Sequence, residues 1–243
     1  MCRATYCSFR DTHSLEQARS LGYAGQGRVF PDLAFSLPAD VLPAGKSRGV
    51  PAVVGVGLMG YFGWNRSEAD GQAIYEAYLE RMARLVAEIV RRGYPVQLLI
   101  GDTRADRDVS SDLLASSALV EFDQDQIRPA CLTEYRGILD QIGGVDVIVA
   151  TRFHNVLFGL LLEKPVVSLS YADKNDALMR SFGLAGYCHD VERFDADVVL
   201  EQVMELLGRR NVPDPARREL LDDSRRALDI QYNELCGLWT SLT

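Results

Sequence analysis

Four clusters of polar and aromatic residues each follow a short apolar run, and their side chains suit the binding and protonation of a small anion. Tyr61, Phe62, Trp64 and Asn65 come after the first run, and Gly101-Asp102-Thr103 after the second. Thr151-Arg152-Phe153-His154-Asn155 follows the third, and Ser170-Tyr171-Ala172-Asp173-Lys174-Asn175 the fourth. An arginine fork grips carboxylate or phosphate through two parallel hydrogen bonds, whereas a lysine acts as a compact point charge. An imidazole titrates near neutrality and can give or take a proton. Taken singly, each residue has an ordinary structural role. Arg152 or Lys174 can be a solvated end-of-strand charge, His154 a hydrogen-bonding helix start, Asp102 a turn cap, and Tyr61 with Trp64 a lid over the core. The convergence of the four clusters is what points to a site, and a phosphorylated carboxylic acid suits it.

One glycine pattern points elsewhere and fails on spacing. Gly55-Val56-Gly57-Leu58-Met59-Gly60 fits the dinucleotide fingerprint and follows an apolar run. In that fingerprint the helix opens at once and an acid lies roughly 20 residues further on. Here a loop intervenes and the candidate acid, Asp102, is about twice as far away, so nicotinamide binding is not expected. Glycines that let strand and loop approach closely explain the pattern better.

The elements that must position these residues alternate. Ala52–Leu58, Val96–Ile100, Val145–Ala150 and Val166–Leu169 read as buried strands, rich in β-branched residues. Helical periods occupy 71–92, 109–119, 131–142, 155–162, 174–182 and 195–207. In the first of these Tyr75, Tyr78, Leu79, Met82, Val86 and Ile89 recur at three- and four-residue steps, and Gly93 suits its left-handed cap. The alternation predicts right-handed crossovers and an α/β fold: a Rossmann-like parallel sheet with helices on both faces. In such sheets ligands bind at the carboxyl ends of the strands, where all four clusters fall. The segments holding Arg152 and Lys174 lead directly into helices, whose first amides favour anions.

At the start of the chain, Tyr6–Phe9 and Gly27–Phe30 read as short strands and Ser14–Leu21 as a helix. Two strands and a helix cannot bury a core alone. Leu37 to Arg48 reads as a linker, and after Pro213 a last helix runs toward Trp239.

Composition narrows the function further. The 243 residues carry 34 acidic and 26 basic side chains, a net charge of −8. That excludes the basic field on which nucleic-acid binding rests. No apolar run approaches the roughly 20 residues of a membrane helix. Met1 to Asp11 has no apolar leader core, and the cysteines at 2, 7, 131, 188 and 236 are odd in number and scattered. Reduced thiols and a cytoplasmic location are therefore expected. The lysines are Lys46, Lys164 and Lys174 alone.

The run Ala150-Thr151-Arg152-Phe153-His154, then Lys164-Pro165, Ser170-Tyr171, Lys174 and Asn175-Asp176, resembles the polysaccharide pyruvyl transferase family. Phe9-Arg10-Asp11, Ser14 and Pro31-Asp32-Leu33-Ala34-Phe35 resemble a mid-chain segment of that family, and Gly55–Asn65 its next strand and loop. The resemblance spans most of residues 3–185, in order. It implies a fold similar to two-domain GT-B glycosyltransferases, of which this chain is the C-terminal half. Residues 1–45 would then be a remnant of the N-terminal domain plus linker, and 46–210 the C-terminal domain with the donor site. Residues 211–243 would be a terminal helix crossing back toward the first domain.

The reaction so implied moves a pyruvyl group from phosphoenolpyruvate onto sugar hydroxyls, forms a ketal and releases phosphate. The resemblance implies His154 and Arg152 as catalytic residues, with Lys174 holding donor anions and Arg10 closing the cleft from the first domain. Trp64 would stack on the acceptor sugar with Tyr61, and Tyr171, Asn175, Asp102 and Asn65 would complete the binding set. No cofactor or metal is required. The implied partners are phosphoenolpyruvate and a saccharide, free or lipid-linked, in exopolysaccharide or cell-wall polysaccharide assembly. Two alternatives remain: a nucleotide-sugar glycosyltransferase on the same fold, and a non-catalytic fragment or binding subunit.

Overall fold

A computed structural model describes residues 4–43, 51–102, 105–129, 136–210, 212 and 214–242. Thr103, Lys46, Cys2 and Cys131 of the sequence reading lie outside these. The chain divides into two compact units, Met1–Val41 with Pro213–Thr243, and Leu42–Val212.

In the smaller unit β1 (Ser8–Phe9), α1 (Thr12–Ser20) and β2 (Arg28–Val29) form one parallel βαβ turn. A 3-10 turn follows at Leu33–Ser36. Leu15, Phe30 and Phe35 are buried. The last helix of the chain, Pro215–Leu242, belongs to this unit. Its Gln231 side-chain amide donates to Ser8 Oγ at 2.9 Å, and its Glu234 pairs with Arg28.

The larger unit holds, in order, β3 (Val54–Gly57), α2 (Glu68–Arg91), β4 (Val96–Leu99), α3 (Ala105–Leu114), β5 (Ile127–Arg128), α4 (Arg136–Gly143), β6 (Val147–Ala150) and α5 (Phe153–Leu161). It continues with β7 (Val166–Ser170), α6 (Asp173–Ser181), β8 (Cys188–Asp190) and α7 (Ala196–Arg209); the terminal helix is thus α8. All six strands are parallel, in the order β5-β4-β3-β6-β7-β8. Numbered within the unit this is 3-2-1-4-5-6, the Rossmann order, and it reverses direction at β3 and β6.

Alternation along the strands builds two cores. Val54, Val56, Val147 and Val149 join the cluster made by Tyr78, Met82, Leu85 and Ile89 of α2 with Val199 and Val203 of α7. Ile148 points to the opposite face, against the backbone of α5 at Gly159. Strands covered on both faces have no solvent side, which explains their unbroken apolar character.

Several boundaries differ from the sequence pattern for identifiable reasons. Helix α2 opens at Glu68 rather than residue 71, because Ser67 Oγ accepts the Asp70 N–H and donates to the Asp70 carboxylate, a reciprocal cap. The helical period read over 109–119 is α3, which starts earlier and ends at Leu114, followed by a 3-10 turn at Ser117–Leu119 capped by Ser116. Helix α4 is described from Arg136, so residues 131–135 of the expected helix lie outside the described residues. Strands β5 and β8 are additions at the sheet's two edges. Among the described residues no helix is long and apolar enough to cross a membrane.

Candidate active site

The carboxyl ends of β3, β4, β6 and β7 carry the predicted residues, and the strand order decides which of them meet. Strands β4 and β6 flank β3, so the segments after them face each other across its end. Gly57 at that end makes the crossing possible. A Cβ there would lie 2.8 Å from Asn155 Nδ2 and 2.9 Å from Ala150 Cβ. At Gly101 a Cβ would sit 3.4 Å from the Arg152 side chain. The fingerprint-like glycine of β3 therefore makes room for the β6–α5 junction.

Arg152, the N-cap residue of α5, reaches over this gap to Asp106. Its Nε lies 3.0 and 3.1 Å from the two carboxylate oxygens and its Nη2 2.5 Å from Oδ1. Asp106 is fully buried, and its Oδ2 also accepts the backbone N–H groups of Gly101 and Asp102 at 2.9 and 2.8 Å. One carboxylate thus neutralises the arginine and fixes the turn that carries Asp102, itself exposed. Asp106 is the residue of this junction that the sequence reading missed. Its signal was present: an acid at the start of the helix after the second strand, opposite a cation after the third.

Lys174 is a different kind of cation. It is the second residue of α6, and its ammonium lies 4.7 Å from the Tyr171 ring centre and 5.5 Å from that of Phe153. No carboxylate among the described residues pairs with it. The two rings come from the two neighbouring strand-to-helix junctions, so the charge is held between α5 and α6 by cation–π attraction. Neither helix has a side-chain hydrogen bond at its N-terminus; the cap positions are Arg152 and Ala172. The third amide of each helix donates to the cap residue's carbonyl, Asn155 to Arg152 at 3.1 Å and Asn175 to Ala172 at 2.9 Å, and the positive end of each helix dipole faces the strand ends.

His154, second in α5, is exposed, with its ring 5.4 Å from Phe153 and 5.9 Å from Phe158. Below it the junctions are polar and tightly buried. Asn155 and Asn175, each third in its helix, are fully buried. Asn175 Nδ2 donates to the Thr151 carbonyl at 3.3 Å, and Thr151 Oγ1 shares a 3.0 Å hydrogen bond with Tyr78. Burial leads the effects that push the Tyr78 phenol up to about 12, so it stays neutral in the core.

Trp64 and Tyr171 form one aromatic wall. The indole Nε1–H donates to the Tyr171 carbonyl at 3.0 Å, and the rings stack 6.3 Å apart. Tyr61 is buried and donates to Glu192 at 2.7 Å, while Asn65, beside Trp64, is exposed. Arg10 lies in the smaller unit, paired with Asp11 and Asp32 at 3.5 and 3.7 Å. Lys164 is structural: its buried ammonium donates to the carbonyls of Gly143 and Val145 at 3.1 and 2.7 Å.

No curated protein matches the chain. Among solved structures it is similar to a mutant O-GlcNAc transferase of Thermobaculum terrenum, with 17% identity and a TM-score of 0.47, over 80% of this chain and 38% of that one. It is also similar to the glycotransferase of kitacinnamycin, with 20% identity and a TM-score of 0.41, over 80% of this chain and 43% of that one. The chain thus spans about two fifths of the length of each. The sequence profile of the polysaccharide pyruvyl transferases matches residues 2–173, which include Arg152, His154 and the strand ends that carry them, and the chain belongs to that family.

Proposed function

We propose that this chain carries the donor half of a transferase that moves the pyruvyl group of phosphoenolpyruvate onto two hydroxyls of a polysaccharide sugar. The observation that carries the reading is Lys174, a cation without a carboxylate partner among the described residues, set between two rings beside two helix N-termini in a member of this family. A compact polyanion carrying phosphate and carboxylate answers that arrangement, drawn to Lys174 and the positive ends of the two helices. The donor is a substrate, and the chemistry asks for no cofactor.

In this mechanism His154, as imidazolium, gives a proton to the methylene carbon of the enol, and positive charge develops at the neighbouring carbon. A sugar hydroxyl adds there and returns its proton to the imidazole. The oxygen of a second hydroxyl of the same sugar then displaces phosphate, which leaves carrying that hydroxyl's proton, and the ketal closes. The exposed position of His154 leaves it open to substrate, as a proton carrier must be. The setting would be exopolysaccharide or cell-wall polysaccharide assembly in the cytoplasm, with an acceptor that is free or lipid-linked.

Calorimetric titration with phosphoenolpyruvate tests this. Lys174→Ala should weaken binding about tenfold, the size of one charge-assisted contact. His154→Ala should keep binding and lose phosphate release in the presence of acceptor, with circular dichroism unchanged. Failure of phosphoenolpyruvate to bind, or binding of a uridine-diphosphate sugar in its place, overturns the proposal.

A further inference from the structure

Beside the cationic junctions lies a cavity of about 200 Å³ with the opposite character. It sits at the carboxyl ends of β7 and β8, between Tyr61 and Tyr171, and carries Asp173, Asp176 and Asp190 on its walls. Asp190 Oδ1 accepts the Glu192 N–H at 2.8 Å, and Asp176 Oδ1 accepts the Cys188 thiol at 3.2 Å. In both carboxylates the other oxygen makes no hydrogen bond among the described residues. Burial, then the hydrogen bond to Glu192 and its charge, push the Tyr61 phenol well above its ordinary value, so it remains a neutral wall.

Trp64 does not line the cavity but stacks on Tyr171, which does; 64% of its surface is exposed, yet it is not loose. Its indole is tied to the Tyr171 carbonyl and stacked on the Tyr171 ring. The residues on either side, Gly63 and Asn65, have φ of +75° and +53°. The left-handed region is uncommon for a residue other than glycine, and such conformations cluster at binding sites. The chain thus holds a large apolar ring in water by a left-handed turn and a hydrogen bond, next to a small cavity rich in acceptors.

We infer that this cavity is a subsite for an uncharged or amino-bearing pyranose and that it rejects sugar acids. The inference rests on the transferase reading and gives its acceptor a place and a charge. A pyranose presents one face of C–H bonds, which stacks on an indole, and a rim of hydroxyls, which donate to carboxylates. The Asp176 and Asp190 carboxylates on the cavity walls repel a uronate and welcome an ammonium group. They also disfavour the phosphorylated donor, so the two substrates are sorted by charge.

Trp64 and Trp239 are the only tryptophans, so in a Trp239→Phe background the fluorescence reports on Trp64 alone. Methyl glucoside and glucosamine should each give a saturable change, and glucuronate none. Asp190→Asn, and separately Asp176→Asn on a different element, should narrow the preference over glucuronate about fivefold, the size of one partly screened charge contact. Equal binding of glucuronate, or no saturable response to any of the three, overturns the inference. Calorimetry with phosphoenolpyruvate on the same protein separates the two readings. Donor binding without a sugar response removes this subsite only, and a sugar response without donor binding removes the donor assignment only.

Discussion

The two strand-to-helix junctions after β6 and β7 are built alike and charged differently. Each leads from a buried strand into a nine-residue helix with no side-chain cap, and each places a fully buried asparagine third in that helix. Each also supplies one cation, but Arg152 is held by the buried Asp106, whereas Lys174 rests on two aromatic rings. The paired cation joins the two wings of the sheet at the point where strand order reverses. The unpaired cation stays available to a ligand. A basic residue at the mouth of a site therefore acts as scaffold or as binding group according to its partner, and its own identity does not decide which.

The sharpest way to break this contrast is to remove the partner. Asp106→Ala removes a fully buried carboxylate and leaves the partly buried Arg152 guanidinium and two backbone N–H groups without their acceptor. Losing one member of a buried ion pair typically costs about 3–5 kcal/mol. Denaturant unfolding should show a loss of that size. Lys174→Ala should change stability by about 1 kcal/mol at most, since only cation–π contacts are lost. If the two variants unfold at the same denaturant concentration, the division into scaffold and ligand cations fails.

How much of this was legible in the sequence follows from what each element depends on. The runs around Val54, Val96, Val147 and Val166 are buried on both faces, so composition betrays them. The edge strands depend on their neighbours instead. Ile127–Arg128 is two residues long, and Cys188–Asp190 has no aliphatic side chain; both are strands because β4 and β7 offer unpaired backbone. Arg152, His154, Lys174, Tyr171 and Trp64 could be placed at one sheet edge from strand-end position alone. That Arg152 is neutralised could not, because the pair spans 46 positions and forms only through the strand order. The same holds for Asp176 and Asp190, which meet at one cavity through the pairing of β7 with β8.

A smaller effect sharpens the contrast by supplying what the two junctions lack. Helix α1 in the smaller unit carries its own cap: Asp11 accepts the Ser14 N–H at 2.6 Å. Burial would raise the Asp11 carboxyl, but the Ser14 hydrogen bonds and the charge of Arg10 outweigh it and hold the group below its ordinary value. Asp11→Ala should cost about 1 kcal/mol, the ordinary worth of an N-cap. The sign of its pH dependence is fixed by the lowered value. The contribution is complete above the unfolded carboxyl range, near pH ~4, and is lost as pH falls through the folded value. The difference in stability between wild type and variant should therefore shrink on acidification below that point. A difference that stays constant or grows there would show that the carboxylate does not act as the cap.

The last test reads charge at the β7–α6 junction without perturbing the fold. Cys188 on β8 donates to Asp176 in the first turn of α6 at 3.2 Å. Burial first, and then that carboxylate, push the thiol up to about 12. Only the thiolate reacts with alkylating agents. At pH 8 that value leaves roughly one thiol in ten thousand ionised, from the four-unit gap. Cys236 on α8 is exposed. Iodoacetamide followed by peptide mass spectrometry should mark Cys236 early and leave Cys188 unmodified for as long as the chain is folded. Asp176→Asn keeps a side-chain acceptor but removes the charge, so Cys188 should label faster while Cys236 does not change. Equal labelling of the two cysteines in the folded protein would show that the carboxylates at this edge do not set its local charge. The separation of an acidic cavity from a cationic junction would fall with it, because Asp176 is the residue common to both.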